Sequence, residues 1–308
     1  MADLFETAEN QAAKTPLPAQ PSASDMSKPA KKTKVGKDHG DYSAKDIEVL
    51  EGLEPVRLRP GMYIGGTDAH AMHHLVAEIL DNSMDEAVAG HASYITIDLA
   101  EDFTVTIGDN GRGIPIDSHP KFKDKSALEV IMTTLHSGGK FSGKSYETSG
   151  GLHGVGLSVV NALSDLLTIE VARDKTLWTQ TYVRGVPQAP LHNAGAVSNR
   201  RGTTIAFHPD PQIFGASPRF RPATLYRMAR SKAYLFRGVE IRWSCAEKLL
   251  KGDDVPPQSA TLHFPGGLAD YLRGTMENRK TLTPGAVFRR SQAQRQRRQG
   301  GMGHRLAD

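Results

Sequence analysis

Cysteine is almost absent from this chain: Cys245 is the single thiol in 308 residues. That excludes an internal disulfide framework and fits a reducing compartment, the cytoplasm. In IRWSCAE, Cys245 reads as a half-buried strand residue, not a nucleophile. Long apolar runs are missing too: no stretch reaches the roughly 18–20 residues a spanning helix needs, so no membrane partner is expected. The opening MADLFETAEN lacks the basic-then-apolar order of a secretory signal. Aromatic residues are scarce, at 6% overall, and almost vanish from the Pro/Ala/Ser/Lys-rich residues 1–41. Such a segment buries too little apolar surface to offset its ordering entropy, so it is expected to be disordered. Its KPAKKTKVGK stretch reads as a solvated basic arm, with polyanion contact as the alternative. A charge excess is missing from the body as well. Lys and Arg number 38 against 34 Asp and Glu, a net +4. Residues Val287 to Asp308 hold six arginines and one acid, or +5, which leaves −1 for residues 1–286. The isoelectric point near 9.0 therefore reports the tail and is no global nucleic-acid signature.

What remains is an ordinary globular composition, 38% hydrophobic and 23% charged, in a length that suggests about two domains. From Ala71 to Ala89, apolar residues at 72, 75, 76, 79, 80, 84, 87 and 88 keep a helical period. Ile95–Leu99 and Phe103–Ile107 alternate as strands around the turn Ala100-Glu101-Asp102. Helices are predicted at Ser126–Leu135, Leu157–Leu163 and about 222–235. Strand-like runs fall at 166–172, 176–183, 203–208 and 238–243. Hairpin-length connections with helices in blocks predict an α+β fold: a mixed, mostly antiparallel sheet covered on one face by helices.

Three segments carry chemistry. On the helix at 71–89, taking Glu78 as zero, Asn82 lies at about 40° and Asp85 at about −20°, while apolar positions fill roughly 60° to 280°. Glu78, Asn82 and Asp85 share a polar stripe, with Glu86 at its margin. A solvated face is the plain reading. The chemical one is a carboxylate with an amide oxygen one turn away, able to serve as a general base and a hard-cation ligand. Second, the strand through Thr104–Ile107 runs into Gly108-Asp109-Asn110-Gly111-Arg112-Gly113-Ile114-Pro115. An acceptor-only carboxylate at a strand end can read an exocyclic amine such as adenine N6, although D-x-G-x-G also occurs in plain hairpin turns. Third, Ser149–Gly156 places four glycines in seven positions directly before a helix. Bare N–H groups at a helix start form a phosphate cradle; a flexible loop is the rival reading.

Gly138–Ser145 (GGKFSGKS) fits the letters of a P-loop, G-x-x-x-x-G-K-[ST], but it follows a helical segment where a P-loop follows a strand. His73, His74 and Glu78 have metal-like spacing without a third fitting ligand, so a surface or packed histidine pair is favoured. Trp178 and Trp243 read as sheet aromatics.

Taken in order, the E-x-x-x-N-x-x-[DE] helix, D-x-G-x-G, the Gly-rich segment ending GGLHGVG, and Gly202-Thr203 on a strand resemble the GHKL ATPase superfamily. That superfamily is shared by type IIA topoisomerases, Hsp90, MutL and sensor histidine kinases. VLEGLEPVRLRPGMYIG (Val49–Gly65), GGKF (Gly138–Phe141) and GVPQAPL (Gly185–Leu191) narrow the resemblance to B subunits of bacterial type IIA topoisomerases. Within these, EPVRLRPGMYIGGTD favours the topoisomerase IV branch over gyrase. The resemblance covers about residues 42–284.

It implies a two-layer α/β sandwich holding ATP and Mg²⁺. Glu78 would polarise the attacking water and Asn82 would hold Mg²⁺. Asp109 would read the adenine amino group, with Thr203 acting through water and Arg112 pairing or stacking near the base. Asp85, Gly113, Ile114 and Pro115 would line the same pocket. Lys140 and the backbone of Gly151, Leu152, His153, Gly154, Val155 and Gly156 would wrap the phosphates beneath a lid containing Tyr146. Tyr42 would reach into the partner's pocket in a nucleotide-driven homodimer. Arg173 matches a rim arginine, and Glu147 departs from the family pattern at a position that often carries a base. The implied domains are an extension at 1–41, an ATPase domain with its dimerisation arm at 42–258, and the truncated start of a transducer at 259–308.

In the full enzyme the implied function is ATP-driven strand passage, decatenation and relaxation of DNA. The resemblance places it in an A2B2 assembly with the topoisomerase A subunit, in the cytoplasm on the nucleoid. From about residue 285, GAVFRRSQAQRQRRQGGMGHRLAD leaves the family pattern, which suggests a truncated or frame-shifted product. A chain without the transducer's switch lysine is expected to bind ATP and turn it over weakly. The rival classes are a non-catalytic ATP-dependent dimerisation module, a defunct product, and DNA binding through the basic tail.

Overall fold

The computed structural model describes residues 50–138, 154–252 and 254–276. In chain order its elements are α1 (Glu54–Leu58), α2 (Gly61–Ile64), α3 (Ala69–Val88), β1 (Tyr94–Leu99), β2 (Val105–Asp109), β3 (Ser118–His119), β4 (Phe122–Ser126), α4 (Ala127–Thr133), α5 (Gly156–Ala162), β5 (Ser164–Arg173), β6 (Thr176–Val183), β7 (Val186–Pro187), β8 (His192–Ala196), β9 (Gly202–Pro209), α6 (Pro211–Phe214), α7 (Pro222–Leu235), β10 (Glu240–Cys245), β11 (Ser259–His263) and α8 (Leu268–Met276).

The long helix α3 starts two residues earlier than its apolar spacing suggests, because Asp68 caps it: the side chain accepts the Ala71 N–H at 2.8 Å. Its apolar stripe, Met72, Leu75, Val76, Ile79, Leu80 and Met84, is buried. β2 also shifts against expectation. Phe103 takes a positive φ of 67° inside the turn, and the Ala100 N–H donates to the Thr104 carbonyl at 2.9 Å. The strand therefore begins at Val105 and keeps Asp109 within it. Side chains alternate along a strand, so Val105, Ile107 and Asp109 share one face, and all three are buried. A carboxylate is thus delivered to the side where the helices pack.

The main sheet runs β11-β10-β1-β2-β9-β5-β6-β7, with β8 also on β6; β3 and β4 form a separate hairpin. Every neighbouring pair of the main sheet is antiparallel except β1 with β10, which is parallel. A mixed, mostly antiparallel α+β fold is therefore what forms. Alternation places Ile95, Ile97, Ile107, Ile205, Phe207, Leu167 and Ile169 in the core. Thr96, Thr106, Thr168 and Thr204 sit at the intervening positions, each half-buried.

Behind α5 the chain ties an ionic knot. Asp210 is fully buried and accepts from Arg57 Nη2 at 2.7 Å and from Arg184 Nε at 2.9 Å. The Gln212 N–H adds a third donor at 2.9 Å. The same Arg57 donates through Nη1 to the Ala162 carbonyl at the end of α5, at 2.6 Å. These partners hold the Asp210 carboxyl below the usual carboxylate range despite its burial. The GVPQAPL segment is fixed in a similar way. Gln180 donates to the Ala189 carbonyl at 3.0 Å and to Glu129 at 3.1 Å, and receives the Tyr182 hydroxyl at 2.7 Å.

Among the described residues, no helix is long and apolar enough to cross a membrane. Cys245 is buried on β10, and burial pushes its thiol up to about 11. It is inert at neutral pH, as its sequence context suggests. Trp243 sits in the core with Nε1 on the Pro257 carbonyl at 2.9 Å.

Candidate functional site

Asp109 anchors one end of the site. Its Oδ1 accepts the Gly111 N–H at 2.8 Å and the Thr203 N–H at 3.4 Å, while Oδ2 accepts the Ser83 hydroxyl of α3 at 3.2 Å. Burial pushes this carboxyl up to about 6, with Glu86 adding repulsion and the three donors opposing. At neutral pH it is ionised. A carboxylate has about four acceptor positions, and three are filled by protein donors. Next to it, Thr203 Oγ1 accepts the Ile114 N–H at 3.2 Å. Gly202, with φ 108°, runs so close to β2 that a Cβ there would strike the Asp109 carbonyl oxygen. β9 and the D-x-G-x-G turn are therefore in direct backbone contact.

Glu86, also on α3, holds the other side of that turn. Its Oε2 accepts the Arg112 N–H at 2.9 Å and Arg112 Nε at 3.2 Å, while Oε1 accepts Nη2 at 2.7 Å. The fork-on-carboxylate geometry fixes the guanidinium at the rim of the turn. Beyond it the Gly113 carbonyl accepts Arg173 Nη1 at 2.9 Å, and Pro115 is exposed.

The other end lies further back along α3. Glu78 is exposed and its carboxylate rests on Gly156, the first residue of α5, where any Cβ would collide with Oε2. Val155 is the N-cap of α5, and Gly154, at φ 61°, lies beside Gly138. Asn82 is half-buried and Asp85 fully buried between the two ends. At 1.5 Å per residue, Glu78 and Glu86 are separated by about 12 Å along the axis. One helix thus packs over a buried, hydrogen-bonded carboxylate near one end and presents a glycine-flanked carboxylate near the other.

The expected residues Glu78, Asn82, Asp85, Asp109, Arg112, Gly113, Ile114, Gly154, Val155, Gly156 and Thr203 are placed along this line. Tyr42, Lys140, Tyr146, Glu147, Gly151, Leu152 and His153 lie outside the described residues. Sequence reasoning missed Ser83, which falls at about 140° in the apolar arc. A hydroxyl there was a signal in itself, since buried polar groups take partners. It also left Glu86 at the margin; only the fold brings it to Arg112.

Two rival readings fail on geometry. His73 is buried with both ring nitrogens engaged: Nε2 accepts the Arg221 N–H at 3.0 Å, and Nδ1 donates to the Ala69 carbonyl. Burial lowers its pKa, so it is a neutral packing histidine. No group of three metal-ligating side chains exists among the described residues. The segment from Gly138 that spells a P-loop is preceded by helix α4, not by a strand.

Residues 67–213 match the family described as histidine kinase-, DNA gyrase B- and HSP90-like ATPases. The chain is 58% identical over 247 residues to the B subunit of DNA topoisomerase 4 from Bartonella bacilliformis, covering 80% of this chain and 36% of that protein. It is 60% identical over 245 residues to the Caulobacter vibrioides protein of the same name, covering 80% and 35%. The DNA gyrase B subunit of Thermotoga maritima is 47% identical over 241 residues, covering 78% and 36%. Among solved structures, the 43K ATPase domain of Thermus thermophilus gyrase B in complex with an aminocoumarin superposes with a TM-score of 0.64. Its identity is 39%, covering 76% of this chain and 57% of that one. The chain spans about a third of the length of the curated relatives it matches. With its α+β sandwich of the gyrase B ATPase type, it belongs to the family of bacterial type IIA topoisomerase B subunits, nearer to topoisomerase IV than to gyrase.

Proposed function

We propose that the described body binds ATP with Mg²⁺ along α3 and hydrolyses it as the nucleotide-operated clamp of a topoisomerase IV-type enzyme. The observation that carries this reading is the Asp109 carboxylate. It is buried, ionised at neutral pH and three-quarters filled by protein donors, and it lies under the same helix that presents Glu78 against a glycine-only helix start.

In this reading the remaining acceptor position of Asp109 accepts a hydrogen bond from the adenine amino group, and Thr203 supports the base through water. Glu86 holds Arg112 at the rim, where its guanidinium can face the base. Asp85, Gly113, Ile114 and Pro115 complete the wall of that end. Glu78 accepts a hydrogen bond from the attacking water and aims it; phosphoryl transfer needs positioning and charge neutralisation more than covalent help. The backbone from Gly151 through Leu152, His153, Gly154 and Val155 to Gly156 offers N–H donors where negative charge gathers, with Lys140 and Tyr146 in the same lid. The fit of a cation rests on donor chemistry: Asn82 supplies a hard amide oxygen one turn from Glu78 and would hold Mg²⁺. Bound there, the ion supplies neutralisation of phosphate charge.

The longer assembly is part of the same reading. Residues 42–258 act as the ATPase unit and 259 onward as the start of the next domain, which is joined to the ATPase sheet by the pairing of β11 with β10. Tyr42 enters a partner's pocket on dimerisation, the topoisomerase A subunit completes the enzyme, DNA is the substrate, and the cytoplasmic nucleoid is its place of action. Calorimetric titration with a non-hydrolysable ATP analogue and Mg²⁺, together with sedimentation, tests the core of it. Binding that is lost in Asp109→Ala and dimerisation that follows binding are expected. Wild-type protein that takes up no nucleotide would end the reading.

A further inference from the structure

The nucleotide reading makes no use of the stretch between Asp210 and Glu240. Its 29 residues contain five arginines and one lysine and not one carboxylate. Since residues 1–286 sum to −1, setting these six charges aside leaves −7 for the rest of that span. This stretch therefore carries a net +6 within a span whose remainder sums to −7.

The fold sorts it further. α7 buries Leu225, Ala229 and Ala233. At about 100° per residue the opposite arc carries Arg227, Arg230 and Ser231, all exposed. Arg219 and Arg221 just before the helix and Arg237 just after it are exposed as well. The lysine is drawn off the face: Lys232 pairs with Asp81 of α3. Arg227 reaches Asp254, but both side chains are largely in solvent, where such a pair contributes little and exchanges readily. Arg230 lies 5.5 Å from the Tyr234 ring centre and donates to its hydroxyl at 3.2 Å, which orients the guanidinium without neutralising it. Arg219, Arg221 and Arg237 have no carboxylate partner among the described residues.

We propose that this face of α7 tracks the phosphate backbone of double-stranded DNA. The helix is 14 residues long, about 21 Å, which matches about six phosphates of one strand at 3.4 Å each. A single phosphate needs no such row. Arginine forks suit phosphate oxygens, and such contacts position a duplex without reading its sequence. Single strands are gripped by exposed rings that stack on bases, and no aromatic residue of this stretch is exposed: Phe220 and Tyr234 are buried, Phe214, Tyr226 and Phe236 half-buried. The argument does not depend on the nucleotide site.

The test is anisotropy of a labelled 30-base-pair duplex titrated with the full chain between 50 and 200 mM salt. The combined variant Arg219→Gln, Arg221→Gln, Arg230→Gln, Arg237→Gln keeps both basic terminal segments, so their contribution stays constant. At about 0.9 in slope per lost phosphate contact, the plot of log affinity against log salt is expected to flatten by about 3 to 4. Affinity at 100 mM salt is expected to fall at least tenfold. Ser231→Glu, which adds one negative charge to the same face, is expected to weaken binding several-fold and decides the matter should the fourfold variant melt early. Affinity for the ATP analogue, measured on the same proteins, is expected to stay unchanged, so a failure here is separable from a failure of the nucleotide reading. An unchanged slope, a wild-type chain that ignores duplex at 50 mM salt, equal binding of single strands, or competition by polyglutamate as strong as by duplex would each overturn the proposal.

Discussion

The two ends of α3 are built by opposite means. At the Asp109 end, separate elements interlock through buried and half-buried hydrogen bonds: Ser83 and Glu86 from α3, the D-x-G-x-G turn after β2, and Thr203 from β9. At the Glu78 end, an exposed carboxylate lies on the bare backbone of a glycine. The first end is preorganised and has one acceptor position left. The second is kept open by the lack of a side chain. On the nucleotide reading that asymmetry suits a ligand with a hydrogen-bonding base and an anionic tail: a fixed socket for the base, and open backbone for the charge.

The sharpest break in this comparison comes at the open end. Glu78→Gln keeps shape and removes the base, so single-turnover ATP hydrolysis is expected to drop about 10² to 10⁴-fold. Analogue affinity measured by calorimetry should stay within about threefold. If hydrolysis survives the change, Glu78 is not the base.

At the interlocked end the largest effect is structural. Gly202→Ala demands a left-handed φ of a side chain and drives Cβ into a backbone oxygen that cannot move aside. A loss of about 3 kcal/mol, seen as a fall in Tm of roughly 6–12 °C, is expected. Gly195→Ala also has a positive φ, but open space around it; it should cost clearly less, and equal losses would refute the close-contact argument.

Titration separates recognition from stability. The Asp109 carboxyl ordinarily titrates at 3.8 and sits at about 6 in the fold because it is buried. The folded state therefore holds this proton more tightly than the unfolded one. Its contribution to stability is complete below about pH 4 and is lost as pH rises through about 6, a change on the order of 3 kcal/mol. Nucleotide binding is expected to run the other way, because protonation fills the one acceptor position left for the adenine amino group. Affinity is expected to be flat above about pH 7 and to fall about tenfold per unit below 6, while Asp109→Asn removes the stability term. Parallel pH profiles of affinity and melting temperature would contradict the assignment.

The smallest effect belongs to the rim. Arg112→Gln breaks a fork whose arginine is 40% exposed, so solvent screening limits the loss of stability to about 1 kcal/mol, and analogue affinity is expected to fall by no more than a few-fold.

Much of this asymmetry was legible in the residues. α3 announced itself through eight periodic apolar positions, and the glycines before α5 and after Asp109 marked where backbone must come close. β7 and β8 were not legible. β8, HNAGA, is exposed along its whole length and so carries no alternation to read. The parallel pairing of Tyr94–Leu99 with Glu240–Cys245 joins segments more than 140 residues apart, and no local pattern records it. Ser83 and Glu86 stayed hidden for the same reason: their partners, 26 residues on, meet them only when β2 lies beneath the helix.

The ionic knot at Asp210 has a mechanical consequence. Arg57, on the first helix of the described body, grips both that enclosed carboxylate and the last carbonyl of the short helix whose first residue touches Glu78. Removing the Arg57 side chain would therefore unfasten two places at once, the first helix from the enclosed acid and the rear of α5 from the guanidinium that holds its last carbonyl.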